Sequence, residues 1–476
     1  MAIISTNFLF FVLVVLAVYY FLPRKHQNYW LLLTSYFFYI TWAWKFALTL
    51  IVLTLTTYYL AFNLNSQRSR RNQLLWVGIG LNIFALVFFR LNEFFLPNLF
   101  PWLEKIGIHT RTGTLQLLVP IGLSFYSLQN ISYLVDVYRK QIFPTHNLAD
   151  FALYLAYFPK LLAGPIERAR SFLPKLAKPR VVDENLLARS LVLIVVGYLR
   201  KVVIADSLIA GIPNRILEQA YNYGALELSG WLIIYAFALY NDFAGYTSIV
   251  RGVSGLFGIE LSPNFNFPYF SRNFSEFWSR WHITLSQWLR DYIYFPLTRS
   301  LMARSPNHQS FLVIVVPAFV TMLASGFWHG MSWNMLLWGA LYGVYITSER
   351  MLSLRIGGTP SEQPFWRQCL LTLVTFVLVT LAWVPFRLEF PYAFYYWRGL
   401  LEWGNLGIVY WRELFVGLLY LIPIIALDWL QWRYQDEVFI LRWPTLAKAL
   451  VLASVLFLIF VASPTDGGPQ FVYQGF

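Results

Sequence analysis

The chain alternates between apolar runs and short charged segments from its first residues to its last. A helix needs about 20 apolar residues to cross a bilayer, and lipid offers no hydrogen-bond partner to a backbone that is not helical or closed into a barrel. The pattern therefore predicts an all-α polytopic membrane protein with about 11–12 transmembrane helices. The predicted spans are 7–22, 29–42, 46–64, 74–95, 115–135, 186–205, 230–250, 311–327, 333–348, 369–386, 413–431 and 446–463.

Composition supports a membrane protein and argues against a nucleic-acid partner. Hydrophobic residues make up 58% of the chain and charged residues only 12%, whereas soluble domains have about 25% charged residues. The formal charge of +13 comes largely from Lys and Arg in short loops, such as 68–71. Flanking positive charge on the cytoplasmic side explains this excess, so membrane lipid is the expected environment.

The order of charges around the first run predicts its topology. No basic residue precedes this run, and Arg24 and Lys25 follow it, which is the reverse of a cleavable signal peptide. We expect an uncleaved first helix with its N-terminus outside. With an even number of crossings the C-terminus also lies outside. Since repeats and low-complexity stretches are absent, residues 1–476 are predicted to form a single membrane domain.

Two segments do not have the pattern of ordinary spans. Residues 151–164 are apolar but contain Pro159 and Lys160, which is typical of a re-entrant or interfacial segment sheltered by protein. Residues 251–304 carry charges among many aromatics. This second segment is too charged to cross lipid, so we expect it to line a cavity or to lie in the interface.

Two of the six histidines lie within apolar or aromatic sequence. His282 follows Trp278 and Trp281, and a continuous helix would place it among their indole rings. His329 lies between two strongly apolar runs and is closely flanked by Gly326 and Gly330. Either histidine could be a hydrogen-bonded packing residue. A neutral imidazole, however, can also take a proton from a hydroxyl near neutral pH.

The known catalytic motifs that could compete are absent from the sequence. There is no G-x-S-x-G elbow, Walker loop, H-E-x-x-H or dinucleotide fingerprint. Cys369 is the single cysteine, which excludes a Cys-cluster metal site, and its apolar neighbours predict a buried packing role. No metal site and no tightly bound cofactor are predicted, and His-centred general acid–base chemistry in the membrane remains.

Five segments in this order resemble the membrane-bound O-acyltransferase family, in its bacterial alginate O-acetylase-like branch. They are VPIGLSFY at 119–126, LAGPI at 162–166, DFAGY at 242–246, residues 278–291 and SGFWHG at 325–330. The resemblance implies a ring of tilted helices around a central tunnel. It also implies that His329 is the essential residue inside the tunnel and that His282 is the second family histidine.

The tail at 464–476 ends in FVYQGF, which resembles the F-x-Y-x-x-F motif of this branch. The resemblance implies that Tyr473 accepts the acyl group outside the cytoplasm and relays it onward. A phenol leaves more readily than an alkyl alcohol, which suits an acyl-tyrosine to a second transfer. An aromatic anchor at the membrane interface is the alternative interpretation.

The same resemblance predicts the reaction and its setting. The protein would lie in the bacterial inner membrane and would move an acetyl group from a cytoplasmic thioester such as acetyl-CoA to an exported polysaccharide, as in alginate biosynthesis. Its partner would be a periplasmic acyltransferase. The donor's phosphates could bind the basic residues of one loop, Arg168, Arg170 and Lys175. The positive-inside rule explains these charges equally well. A lipid or polysaccharide transporter and a scaffold subunit of an export complex are the alternatives.

Overall fold

Helices account for all the regular secondary structure in the described parts of the computed structural model. The structure describes residues 1–66, 68–90, 95–106, 119–180, 183–304, 311–356, 364–403 and 409–463. The chain forms two compact units. The first comprises Met1–Leu191 and Val250–Ser262, and the second comprises Val192–Ile249 and Pro263–Phe476.

Among the described residues, the first unit contains nine helices, the beginning of a tenth and the last residues of the helix Ala225–Leu256. Phe11 on α1 packs edge-on against Phe158 on α8, with ring centroids 5.2 Å apart, and stacks on Phe38 of α2 at 5.9 Å. This aromatic contact holds three helices together. The helices are α1 Thr6–Phe21, α2 Arg24–Ile40, α3 Trp44–Ser66, α4 Arg71–Phe89, α5 Phe95–Lys105, α6 Leu123–Tyr138, α7 Leu148–Ala156, α8 Phe158–Leu161, α9 Ala169–Ala177 and α10 Glu184–Tyr198.

The segment predicted to be re-entrant is broken and buried. It forms α7 and α8, which meet at Tyr157, and residues 151–164 are all buried within the first unit. Lys160 is accommodated because its ammonium donates to Gln129 Oε1 at 2.6 Å and to the carbonyl of Tyr154 at 2.5 Å. The prediction that this segment is not a continuous span is confirmed, and its depth in the membrane stays a prediction.

The second unit contains both histidines of interest and most of the helix Ala225–Leu256. A π-helix, Leu199–Asp206, follows α10 directly, and a second, Arg290–Tyr294, separates α15 from α16. The other helices are α11 Ser207–Gly211, α12 Asn214–Glu218, α13 Ala225–Leu256, α14 Phe274–Arg280, α15 Ile283–Leu289, α16 Phe295–Arg304, α17 Phe311–His329, α18 Trp333–Ile356, α19 Phe365–Arg387, α20 Tyr392–Gly399, α21 Trp411–Tyr434 and α22 Thr445–Ala462.

Every predicted span corresponds to a helix, and six helices of the described residues are long and apolar enough to cross a membrane. These six are α3, α4, α17, α19, α21 and α22, and α1 is a shorter apolar helix. The chain is therefore an all-α polytopic membrane protein. The remaining predicted spans include helices such as α6, whose residues are almost all buried and include polar side chains, so the count of 11–12 crossings stays a prediction.

The prediction that Cys369 is buried was wrong. Cys369 lies near the start of α19, and its side chain is exposed. Apolar neighbours predict burial in a soluble protein, but on a membrane-spanning helix they are equally compatible with a surface that faces lipid.

Candidate active site

His329 is the last residue of α17, and its imidazole is buried among aromatic rings. The ring centroid lies 4.8 Å from that of Trp328, 5.1 Å from Trp338 and 5.3 Å from Phe386, and the planes are close to perpendicular. The side chain is 2% exposed. We call Trp328, Trp338 and Phe386 the aromatic cluster of His329.

Two glycines fix the end of α17 against α18. A Cβ added to Gly326 would lie 2.2 Å from the carbonyl oxygen of Met335, and one added to Gly339 would lie 2.5 Å from that of Met322. The two helices therefore touch backbone to backbone, which only glycine permits. The N–H of Gly330 donates to the carbonyl of Gly326 at 3.1 Å, and the helix ends at His329.

His282 lies between two short helices, so the predicted continuous helix through this segment was wrong. α14 ends at Arg280 and α15 begins at Ile283, and His282 has a left-handed backbone with φ of 41°. A non-glycine residue in this region costs about 1–2 kcal/mol, and such strain occurs often at functional sites. The break changes which rings the imidazole can reach.

Asn264 holds the break at His282 in place. Its backbone carbonyl accepts the N–H of Ile283 at 2.9 Å, and its Oδ1 accepts the hydroxyl of Thr284 at 2.7 Å. These bonds occupy groups at the start of α15 that have no partner within the helix. Asn264 is itself buried, so the conformation of His282 is set by a neighbouring loop as well as by its own sequence.

The structure brings the two candidate histidines into contact with the same indole ring. Trp328 packs against His329 and also against His282, whose ring centroid is 6.0 Å away. His282 is completely buried and also contacts Phe243 at 4.8 Å. Burial lowers the pKa of His282 to about 3, so this imidazole is neutral at physiological pH.

The DFAGY motif supports the His282 side of the site. Asp242 forms a buried ion pair with Lys201 of the first π-helix at 2.7 Å, and Lys201 also pairs with Asp206 at 2.5 Å. A Cβ added to Gly245 would lie 2.7 Å from the backbone nitrogen of Lys201. Phe243 contacts His282, so Asp242, Phe243 and Gly245 each make a different structural contact.

A cavity of about 350 Å³ lies between α14, α15, α17 and α18. The segment at 251–304 contributes much of its wall, as predicted for a charged aromatic segment. Trp278 on this wall packs against Trp338 with centroids 5.9 Å apart, and Trp338 in turn contacts His329. Two guanidinium groups, of Arg290 and Arg350, also line the cavity.

The other predicted site residues lie elsewhere in the chain. The basic residues of the proposed donor site belong to the first unit: Arg168 precedes α9, Arg170 is exposed, and Lys175 donates to the carbonyl of Glu260 at 2.6 Å. Their role in donor binding stays a prediction. Tyr473 and the tail at 464–476 lie outside the described residues.

Sequence reasoning missed the partner of Asp242 and the role of Asn264. A signal for the ion pair was available, because Lys201 interrupts an apolar run and a charge at such depth needs a partner. No comparable signal marked Asn264, since a polar residue in an irregular segment is common. The contact of Trp338 with His329 was also missed, although both belong to neighbouring apolar runs.

Membrane-spanning helices and a buried pair of imidazoles define an integral-membrane protein with a histidine-centred site. Comparison with known proteins supplies the family. Residues 31–393 match the model of MBOAT, membrane-bound O-acyltransferase family. The chain therefore belongs to this family and is an O-acyltransferase.

The names of individual relatives refer to different polymers, which are alginate, peptidoglycan and teichoic acid. The chain is 34% identical over 392 residues to the Probable alginate O-acetylase AlgI of Pseudomonas aeruginosa, which covers 81% of this chain and 72% of that protein. It is 31% identical to the Peptidoglycan O-acetyltransferase of Helicobacter pylori over 75% of this chain and 70% of that protein. The Teichoic acid D-alanyltransferase of Bacillus subtilis is 30% identical over 60% of this chain and 72% of its own length.

Proposed function

We propose that this O-acyltransferase moves an acetyl group from a cytoplasmic thioester, acetyl-CoA, across the bacterial inner membrane for O-acetylation of an exported polysaccharide. Two relatives are named as O-acetylase or O-acetyltransferase of a polymer, which favours acetyl over other acyl groups. Family membership also favours an enzyme over the transporter or scaffold alternatives.

His329 is the general base in this proposal. The observation that carries the assignment is the buried position of its imidazole at the end of α17, enclosed by the aromatic cluster and fixed by the glycine contacts of α17 with α18. The neutral ring takes the proton of the acceptor hydroxyl as the hydroxyl oxygen attacks the thioester carbonyl carbon. The C–S bond then breaks, and the thiolate receives that proton from the imidazolium.

His282, which contacts the same Trp328 ring as His329, orients or polarises the thioester in this proposal. Its low pKa means that it acts as a neutral hydrogen-bonding group and not as a cation. The left-handed backbone at His282 and the bonds from Asn264 support such a positioning task, since both restrict the ring to one place.

Tyr473 receives the acetyl group first and passes it outward, in the extension of the proposal to the F-x-Y-x-x-F tail. A periplasmic acyltransferase then completes the transfer to sugar hydroxyls. The tail motif supports this step, which requires both termini outside and an even number of crossings. The basic residues near α9 would bind the donor's phosphates: Arg168, Arg170 and Lys175.

The decisive experiment is His329→Gln in a host strain that lacks its own copy of the enzyme and makes the polymer. Acetate released from the polymer by mild alkali is measured per amount of protein in the membrane. Loss of the general base is expected to reduce acetylation by about 10²–10⁴-fold. His26→Gln is the matched control, since His26 is exposed; full acetylation by normally inserted His329→Gln protein would refute the assignment.

A further inference from the structure

Several indole N–H groups of the second unit are buried and donate to no protein acceptor among the described residues. Those nearest the site belong to Trp278, Trp338 and Trp383. A tryptophan buried in a protein usually finds a partner for this N–H, and a buried donor without one is costly. Phenylalanine would fill much of the same space without that cost, so an indole N–H of this kind that also touches the proposed base is a candidate donor to the substrate.

Trp338 is the member of this group that contacts the proposed base. Its side chain is 1% exposed, and its ring lies 5.1 Å from His329 at an angle of 80°. The neighbouring Gly339 brings α18 against the backbone of α17, so the position of the indole relative to the end of α17 is fixed. The indole that carries this N–H is therefore in direct contact with the group that takes the proton.

Trp338 also contacts a residue that lines the cavity between α14, α15, α17 and α18. Trp278 forms part of the cavity wall and packs on Trp338 with ring centroids 5.9 Å apart. Trp338 therefore packs against both a cavity-lining residue and the proposed base.

We propose that the indole N–H of Trp338 donates a hydrogen bond to the acyl carbonyl oxygen during transfer, with the buried N–H beside His329 as the observation that carries it. The inference rests on the proposed function of His329. As the acceptor oxygen bonds to the carbonyl carbon, the carbonyl π electrons move to the oxygen, and the N–H stabilises the resulting oxyanion. When these electrons return, the C–S bond breaks and the donor thiolate leaves.

Such a donor acts more strongly in the transition state than in the ground state, because negative charge develops on the oxygen only as the reaction proceeds. Removing a single oxyanion donor typically lowers kcat by about 10²–10³-fold. The Michaelis constant for the donor should change little. This division between kcat and KM distinguishes a catalytic donor from a residue that only shapes the binding site.

The test replaces Trp338 by 3-benzothienylalanine, which keeps the bicyclic shape and has sulfur in place of the N–H. The same replacement at Trp383 is the matched control. Trp383 is also completely buried with an N–H that has no acceptor among the described residues, but its ring contacts among these residues are to Trp281, Trp338, Tyr342 and Phe386 and not to His329. Rates are measured as transfer of label from [14C]acetyl-CoA to polymer in membrane vesicles of the host strain.

The replacement at 338 should lower kcat by about 10²–10³-fold with nearly unchanged KM for acetyl-CoA, and the replacement at 383 should leave both near the parent values. Normal kcat for the 338 protein overturns the inference, as does an equal loss at 383, which would indicate packing. His329→Gln is measured in parallel. Full activity of that variant refutes the proposed base, whereas its inactivity beside an active 338 protein refutes only the role of Trp338.

Discussion

Gly326→Ala should displace His329 and lower the rate of acetyl transfer, because the added methyl group has no room between α17 and α18. The added Cβ would lie 2.2 Å from the carbonyl oxygen of Met335, and ordinary contact begins at 3.4 Å. α17 and α18 must therefore separate by roughly 1 Å at this point, and His329 lies less than one turn away on the same helix. A misplacement of about 1 Å at a reacting group can cost about 10²-fold in rate.

Stability should fall as well, because overpacking a tight contact costs about 1–3 kcal/mol. The helices of the hairpin are nevertheless held by many other contacts, including Gly339 against Met322, so the protein should still insert. The expected combination is a protein present in the membrane with a lowered thermal midpoint in detergent and about 10²-fold less polymer acetate per molecule.

Gly330→Ala is the matched control in the same turn. A Cβ there would lie 3.1 Å from Cγ of Met335, a side-chain atom that can move aside more readily than a backbone carbonyl. We expect the thermal midpoint of this variant to change less than that of Gly326→Ala. Acetylation by Gly326→Ala at the parent level, in protein of normal abundance, would refute the reasoning that the helix contact sets the position of His329.

Three further changes test other parts of the site. Asp242→Asn leaves the Lys201 ammonium with only part of its countercharge, and the thermal midpoint should fall because breaking a buried pair costs about 3–5 kcal/mol. The double variant Asp242→Asn with Lys201→Met should recover part of the lost thermal midpoint, and no recovery would contradict the ion-pair account. Tyr473→Phe should stop polymer acetylation without loss of protein, and a normal acetate content or a cytoplasmic C-terminal reporter would contradict the relay. Replacing the basic residues Arg168, Arg170 and Lys175 by glutamine should raise KM for acetyl-CoA with kcat unchanged. An unchanged KM would show that these residues do not belong to the donor site.

The sequence predicted the helical membrane fold because its apolar runs are long and clearly delimited. It also singled out both histidines, since an imidazole in apolar surroundings is unusual and the motif order resembles one family. Hydropathy could not show which apolar helices face lipid and which are enclosed by protein, because both surfaces are apolar. For the same reason Cys369 was predicted to be buried and proved exposed.

Local backbone geometry was the other limit of the sequence. Helical spacing through Trp278 and Trp281 suggested one continuous helix, but His282 adopts a left-handed conformation that no periodicity can reveal. The hydrogen bonds beside it come from Asn264, which precedes α14 in the chain and is not a neighbour of His282 in sequence. The ion pair of Asp242 with Lys201 likewise depends on the way α13 packs against the π-helix.

The left-handed backbone at His282 means that one position carries two separable demands, one conformational and one chemical. Alanine fails both, so a loss of activity in His282→Ala cannot distinguish them. Glycine satisfies the backbone and lacks the imidazole, and asparagine tolerates the same conformation while offering an amide of similar reach. Among natural variants at this position, we therefore expect residues compatible with positive φ to be retained even where the ring nitrogen is dispensable.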